Sequence, residues 1–184
     1  MRAAGRGAVT LVALLVVAGC GSTIAAGPPV ATAEVRTAAS CLDPDVLDAL
    51  GLELDESRRS EAPAPTTRGL PPEGFVADTA LVCDRGGTLR DSAGRWHAVS
   101  ATRLEGDLDP LVRLVTRATP AACGPGVVPQ VWLVDAMGAA VLLPRDAGCR
   151  DGAMADALGR LDVIERSEHP VALAQPVTAG APAP

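Results

Sequence analysis

The sequence of 184 residues contains no lysine, no asparagine and no tyrosine, and it has a single phenylalanine. Because lysine is absent, the chain cannot contain a phosphate-binding loop of the G-x-x-x-x-G-K-[ST] type, a pyridoxal phosphate Schiff base or a lysine nucleophile. The five cysteines include no C-x-x-C pair of the kind used for zinc or thioredoxin-like redox chemistry. These absences exclude several classes of enzyme and metal site.

Acidic residues outnumber basic ones, with 22 Asp and Glu against 16 Arg. Two of the arginines lie in residues 1–19, so the remainder of the chain has 14 Arg and a formal net charge of −8. A nucleic-acid-binding protein needs a basic face that replaces the counterions on phosphates, whereas these arginines are scattered among acids. We therefore expect no nucleic-acid partner.

The N-terminus has the parts of a bacterial export signal. Arg2 and Arg6 give a positively charged start, and an uncharged stretch of eleven residues follows at 8–18. A helix that spans a bilayer needs about twenty apolar residues, so this stretch is an export signal and not an anchor. It ends in VAGC at 17–20, which resembles the lipobox of bacterial lipoproteins, whose cysteine carries diacylglycerol.

The lipobox resemblance implies a signal peptide at 1–19 and attachment to the extracytoplasmic face of the cell membrane through lipid on Cys20. One acyl chain of myristoyl size holds a protein weakly, so stable anchoring requires a diacylated and N-acylated Cys20. The alternative is an ordinary secretory signal, with Cys20 removed or left free. Abundant Ala, Gly, Pro and Arg indicate a GC-rich genome, and the overall layout resembles the small uncharacterised envelope lipoproteins of actinobacteria. This second resemblance implies no functional residue.

The other four cysteines are an even, widely spaced set in a chain that we expect to be exported, which predicts two structural disulfides. Three pairings are possible from the sequence. Cys123 and Cys149 lie at nearly equal distances on either side of a predicted hairpin, so we pair them with each other. By elimination, Cys41 pairs with Cys83.

The chain divides into tethering and ordered sequence. Residues 20–40 are small and lack an amphipathic period, which predicts a flexible stalk. Residues 41–168 are predicted to form a single domain. The sequence PVALAQPVTAGAPAP follows His169, and we interpret 169–184 as a disordered tail.

Within the predicted domain, short patterns indicate alternating helices and hairpins. They are a helix that starts at Asp43-Pro44, strands at 79–84 and 95–104, a helix that starts at Asp109-Pro110, a hairpin at 131–143 and a helix capped by Asp151. This order predicts an α+β fold, a mainly antiparallel four-stranded sheet with about three helices packed on one face.

Catalytic and metal-binding patterns are weak. A zinc site usually takes three or four protein ligands, and the only histidines are His97 and His169. Ser100 and His97 are three apart in a predicted strand, so they point to opposite faces. Trp96 and Trp132 are interpreted as core residues. We predict no catalytic residue, no metal ligand and no cofactor.

Two classes of function remain. The favoured prediction is a non-enzymatic lipoprotein whose domain binds an envelope protein or a small ligand. The alternative is a small envelope hydrolase that uses carboxylates from different loops, with Asp84, Asp91, Asp135 and Asp146 as candidates. Convergence of these acids in an enclosed pocket would favour the enzyme, and an exposed apolar patch would favour partner binding.

Overall fold

The computed structural model of the protein describes residues 30–117, 126–149 and 152–177. In these residues, five antiparallel strands form one sheet in the order β4-β3-β1-β2-β5. The strands are β1 Thr79–Arg90, β2 Gly94–Glu105, β3 Gln130–Val134, β4 Ala140–Leu142 and β5 Asp162–Pro176. The α-helices are α1 Pro44–Ala49, α2 Asp109–Arg117 and α3 Ala153–Leu158, with 3-10 helices at Glu56–Glu61 and Arg145–Cys149. The predicted α+β class is confirmed, but the sheet has five strands and not four.

Both predicted hairpins are confirmed, β1 with β2 and β3 with β4. The turn between β3 and β4 shows why the second hairpin could be predicted from the sequence. The Oδ1 atom of Asp135 accepts the N–H groups of Met137 and Ala139, both at 2.8 Å. Gly138 has φ +88°, a left-handed conformation that glycine adopts without a steric penalty. Together these residues close the turn.

The interpretation of 169–184 as a disordered tail is wrong for residues 169–176, which form the second half of β5. Val171 is fully buried there, and His169 pairs with Val99 of β2. Pro170 cannot donate to a sheet ladder, but β5 lies at the edge of the sheet, where proline is tolerated. Residues 178–184 lie outside the described part of the chain.

The helices cover both faces of the sheet, so the prediction that they pack on one face is wrong. The core on one face contains the buried residues of α2 and α3, and the core on the other contains those of α1. All residues of β3 and β4 are buried, with no polar face turned to solvent. A sheet that is apolar on both sides must be covered on both sides.

The predicted stalk at 20–40 is also wrong for residues 30–40, whereas residues 20–29 lie outside the described ranges. Ala33 is buried, and Thr32 forms a parallel bridge with Leu70. Arg36 exchanges both backbone hydrogen bonds with Ala140, each at 2.8 Å. This pairing satisfies backbone groups on the outer edge of β4, which would otherwise be open to another chain.

The predicted disulfide between Cys41 and Cys83 is confirmed, with both residues buried beside α1. Cys123 and the side chain of Cys149 are outside the described residues, so the second disulfide stays a prediction.

The predicted caps of the three helices have different outcomes. Asp43 caps α1, because its Oδ1 atom accepts the N–H group of Asp45 at 2.8 Å. At α2 it is Asp107, not Asp109, whose carboxylate accepts a backbone N–H group, that of Asp109 at 3.1 Å. Asp151 is not described, and α3 starts after Gly152 with no side-chain cap.

A partly buried polar network holds α1 against the sheet. Arg68 pairs with the carboxylate of Asp45, donates to the backbone oxygen of Asp45 at 2.7 Å, and donates to Oε1 of Gln130 at 2.6 Å. Arg145 donates to Asp45 at 3.0 Å and to Asp48 at 2.6 Å. Burial lowers the pKa of Arg68, and the charge of Asp45 opposes that effect. The network connects α1 with β3 and with the 3-10 helix at Arg145–Cys149.

Candidate functional site

The four candidate carboxylates do not meet at one site. Asp135 follows β3, whose last residue pairs with the first residue of β1, whereas Asp91 follows the last residue of β1. Because β1 has 12 residues, these two acids lie at opposite ends of a strand about 40 Å long. Asp84 is exposed on β1, and Asp146 lies in the 3-10 helix Arg145–Cys149. The acid and base of a hydrolase cannot be assembled from Asp91 and Asp135.

Asp91 has a structural role in the turn between β1 and β2. Its Oδ1 atom accepts the N–H groups of Ala93 at 2.8 Å and Gly94 at 3.1 Å, and the indole N–H of Trp96 at 2.8 Å. The hydrogen bond from Trp96 is the main cause that lowers the pKa of Asp91. The carboxylate is therefore held ionised as an acceptor that organises the turn.

His97 and Ser100 both lie on β2, but they differ in their exposure to solvent. His97 is exposed, whereas Ser100 is buried, and its Oγ atom has no hydrogen-bond partner in the described part of the chain. Trp132 and Trp96 are buried, as predicted. Among the described residues, no three His, Cys, Asp or Glu side chains are grouped to hold a metal ion.

Polar side chains from two strands converge at a cleft that the sequence analysis did not predict. We call it the β2–β5 cleft, and its volume is about 280 Å³. It is lined by Ala39, Ser40, Cys41, Leu42, Leu81, Ala101, Arg103, Glu165, Ser167 and His169.

The sheet register explains this convergence. Arg103 lies opposite Glu165 across the β2–β5 ladder, and Ala101 lies opposite Ser167. Alternate residues of a strand point to the same face, so Glu165, Ser167 and His169 follow one another along one side of β5. The chain before α1, held by the Cys41–Cys83 disulfide, forms the facing wall.

The polar groups of the cleft interact in two pairs. The Nε atom of Arg103 lies 3.7 Å from Oε2 of Glu165, and Nη1 of Arg103 donates to the Thr79 hydroxyl at 3.3 Å. The Oγ atom of Ser167 lies 3.1 Å from Nε2 of His169. The cleft thus presents one cation, one anion, one imidazole and the hydroxyl groups of Ser40 and Ser167 above an apolar floor.

Two other surfaces lack this combination of groups. An open groove of about 590 Å³ beside α1 is lined mainly by aliphatic residues, including Leu42, Leu47 and Leu54. A shallow depression of about 440 Å³ carries the exposed Val76 and Met137. Both surfaces also carry charged side chains, Asp48, Glu53 and Arg59 in the groove and Glu73, Asp78 and Asp135 in the depression, but neither is lined by a histidine or a hydroxyl-bearing residue.

One pattern in the sequence could have indicated the polar face of β5 that lines the cleft. Glu165, Ser167 and His169 alternate with other residues at a period of two, as on a strand with one functional face. The sequence after His169 is rich in small residues and proline, which favours a disordered tail, and for this reason the sequence analysis does not predict β5.

In the residues that the structure describes, no helix is long and apolar enough to cross a membrane. Comparison with models of known protein families, with curated protein sequences and with solved structures gave no match.

Proposed function

We propose that this protein is a lipoprotein anchored to the extracytoplasmic face of the cell membrane through Cys20, and that its folded domain is a binding module and not an enzyme. The anchoring part rests on the charged start, the apolar stretch and the VAGC sequence at 17–20. The buried Cys41–Cys83 disulfide supports export, because disulfides persist in oxidising compartments and are rare in the cytosol.

The β2–β5 cleft is the observation that carries the binding role. It gathers charged and polar groups from two strands around an apolar floor, which is the usual composition of a small-ligand site. The hydrolase alternative requires paired carboxylates near one bond, and Asp91 and Asp135 lie at opposite ends of the 12-residue strand β1. Binding of a small ligand therefore has better support than hydrolysis by those acids.

A Cys20→Ser variant tests the anchoring part of the proposal. It removes the thiol that takes the lipid, so the protein is expected in the medium or as an unprocessed precursor, and not as a processed membrane protein. Ser22→Ala is the matched control, because it changes a neighbouring residue and leaves the thiol, and it should fractionate with membranes. A processed, membrane-bound Cys20→Ser protein would contradict the proposal.

A further inference from the structure

We infer that the β2–β5 cleft binds a free α-amino acid with a short aliphatic side chain, an inference that rests on the proposed binding function and names its ligand. The carboxylate of the ligand lies against Arg103, its ammonium group against Glu165, and its side chain on the floor formed by Leu81 and Ala101. Each part of this assignment follows from a separate feature of the cleft.

The spacing of the two charges selects an α-amino acid. Arg103 and Glu165 are direct partners in the sheet register, and their nearest charged atoms lie 3.7 Å apart. In an α-amino acid the ammonium and carboxylate groups are attached to the same carbon atom, so both reach this pair of neighbouring side chains. A flexible molecule with well-separated charges must fold back on itself to place both groups there, which costs conformational entropy.

The pair is also available to a ligand. The Arg103 side chain is 34% exposed and that of Glu165 is 67% exposed, and ion pairs of such exposure contribute little to stability. A zwitterion that inserts between them replaces one weak ion pair with two charge-assisted interactions. The hydrogen bond between Arg103 and Thr79 holds the guanidinium at the cleft while this exchange occurs.

The size of the cleft and its apolar floor favour a ligand with a short aliphatic side chain. A volume of 280 Å³ has room for a molecule of up to roughly nine non-hydrogen atoms, at about 30 Å³ for each water-sized group. Leucine has that number of non-hydrogen atoms. Leu42, Leu81 and Ala101 provide an apolar surface for an aliphatic chain, and Ser167 and His169 place polar atoms at the rim.

Isothermal titration of the full lipoprotein in detergent tests the inference with L-leucine as the first probe. We expect saturable binding of L-leucine, and binding weaker by about tenfold or more for its isomer 6-aminohexanoate, whose charges lie at opposite ends. 4-Methylpentanoate and 3-methylbutylamine each lack one of the two charges and should also bind more weakly than leucine. Equal binding of leucine and 6-aminohexanoate would overturn the inference, as would no detectable binding of glycine, alanine, valine, leucine or methionine.

Three variants assign the binding to the cleft. Arg103→Gln and Glu165→Gln each remove one charge and should weaken leucine binding by about tenfold or more. Arg166→Gln removes an exposed charge between cleft residues and should leave binding unchanged. Unchanged binding in both cleft variants, with circular dichroism like that of the wild type, would overturn the inference. Such a result leaves membrane anchoring untouched, because the Cys20→Ser variant tests anchoring separately.

Discussion

Trp132 has the largest side chain among the fully buried residues of the structure, with an exposure of 1%. It lies on β3 in the same apolar core as α1 and the Cys41–Cys83 disulfide. Its indole Nε1 has no hydrogen-bond partner among the described residues. The side chain therefore stabilises the fold by its volume and apolar contacts, while its N–H group is buried at a cost.

Two substitutions at this residue separate the contributions of volume and polarity. Trp132→Ala leaves a large cavity and should lower the free energy of unfolding by about 3 to 5 kcal/mol. Trp132→Phe keeps most of the packing and removes the unpaired N–H group, so a smaller loss of about 1 to 2 kcal/mol is expected. Urea unfolding followed by circular dichroism measures both values. Equal losses in the two variants would contradict this account of the residue.

At the scale of elements, α1 depends on its surroundings. A helix of six residues is unstable in isolation, because nucleation is unfavourable and few hydrogen bonds form. Asp43 is fully buried at its start and accepts a hydrogen bond from the Thr66 hydroxyl at 2.6 Å. Arg68 and Arg145 bind its acidic residues from two other parts of the chain. Tertiary contacts thus hold α1 in place, next to the residues at 39–42 that line the β2–β5 cleft.

The two arginines differ in burial, and this difference predicts unequal effects. The Arg68 side chain is 11% exposed, and its loss leaves the Gln130 and Asp45 acceptors without that donor. Arg68→Met should lower the free energy of unfolding by about 2 to 4 kcal/mol. Arg145 is 46% exposed, and Arg145→Met should have an effect below about 1 kcal/mol. Chemical unfolding of both variants checks the order, and a larger loss for Arg145→Met would contradict it.

The two hairpins and the cap of α1 were predictable because their signals are local. The turn from Asp135 to Gly138 specifies its own hydrogen bonds, and Asp43 caps the helix that follows it. In contrast, β5 is held by β2, whose sequence lies about 60 residues earlier, and residues 30–36 are held by Leu70 and β4. Short-range patterns do not report such pairings, so the sequence predicts a flexible stalk that includes residues 30–36 and a disordered tail that starts at residue 169.

For the whole molecule, the same limit explains why the cleft was missed. Its charged pair joins Arg103 of β2 to Glu165 of β5, and these residues are neighbours only after the strands pair. The second polar pair, Ser167 and His169, required β5 to be recognised as a strand. Exclusions based on composition, such as the absence of lysine chemistry, needed no fold at all.

The Cys41–Cys83 disulfide connects the start of α1 with the central strand β1 across a sequence separation of 42 residues. A closed loop of this length lowers the entropy of the unfolded chain, which raises the free energy of unfolding by about 4 kcal/mol at 25 °C. We expect the double variant Cys41→Ala, Cys83→Ala to lose about that much free energy of unfolding relative to the oxidised wild type. Urea denaturation without reductant measures the difference. An unchanged unfolding midpoint would show that the disulfide does not constrain this domain.

Mass spectrometry of the N-terminal peptide of the mature protein, isolated from the membrane fraction, tests the central claim most directly. The account predicts a peptide that begins at Cys20 and carries the mass of a diacylglycerol group and an N-linked acyl chain. An unmodified N-terminus at any other residue, or an intact signal sequence with a free thiol at Cys20, would contradict the assignment as a lipid-anchored envelope protein.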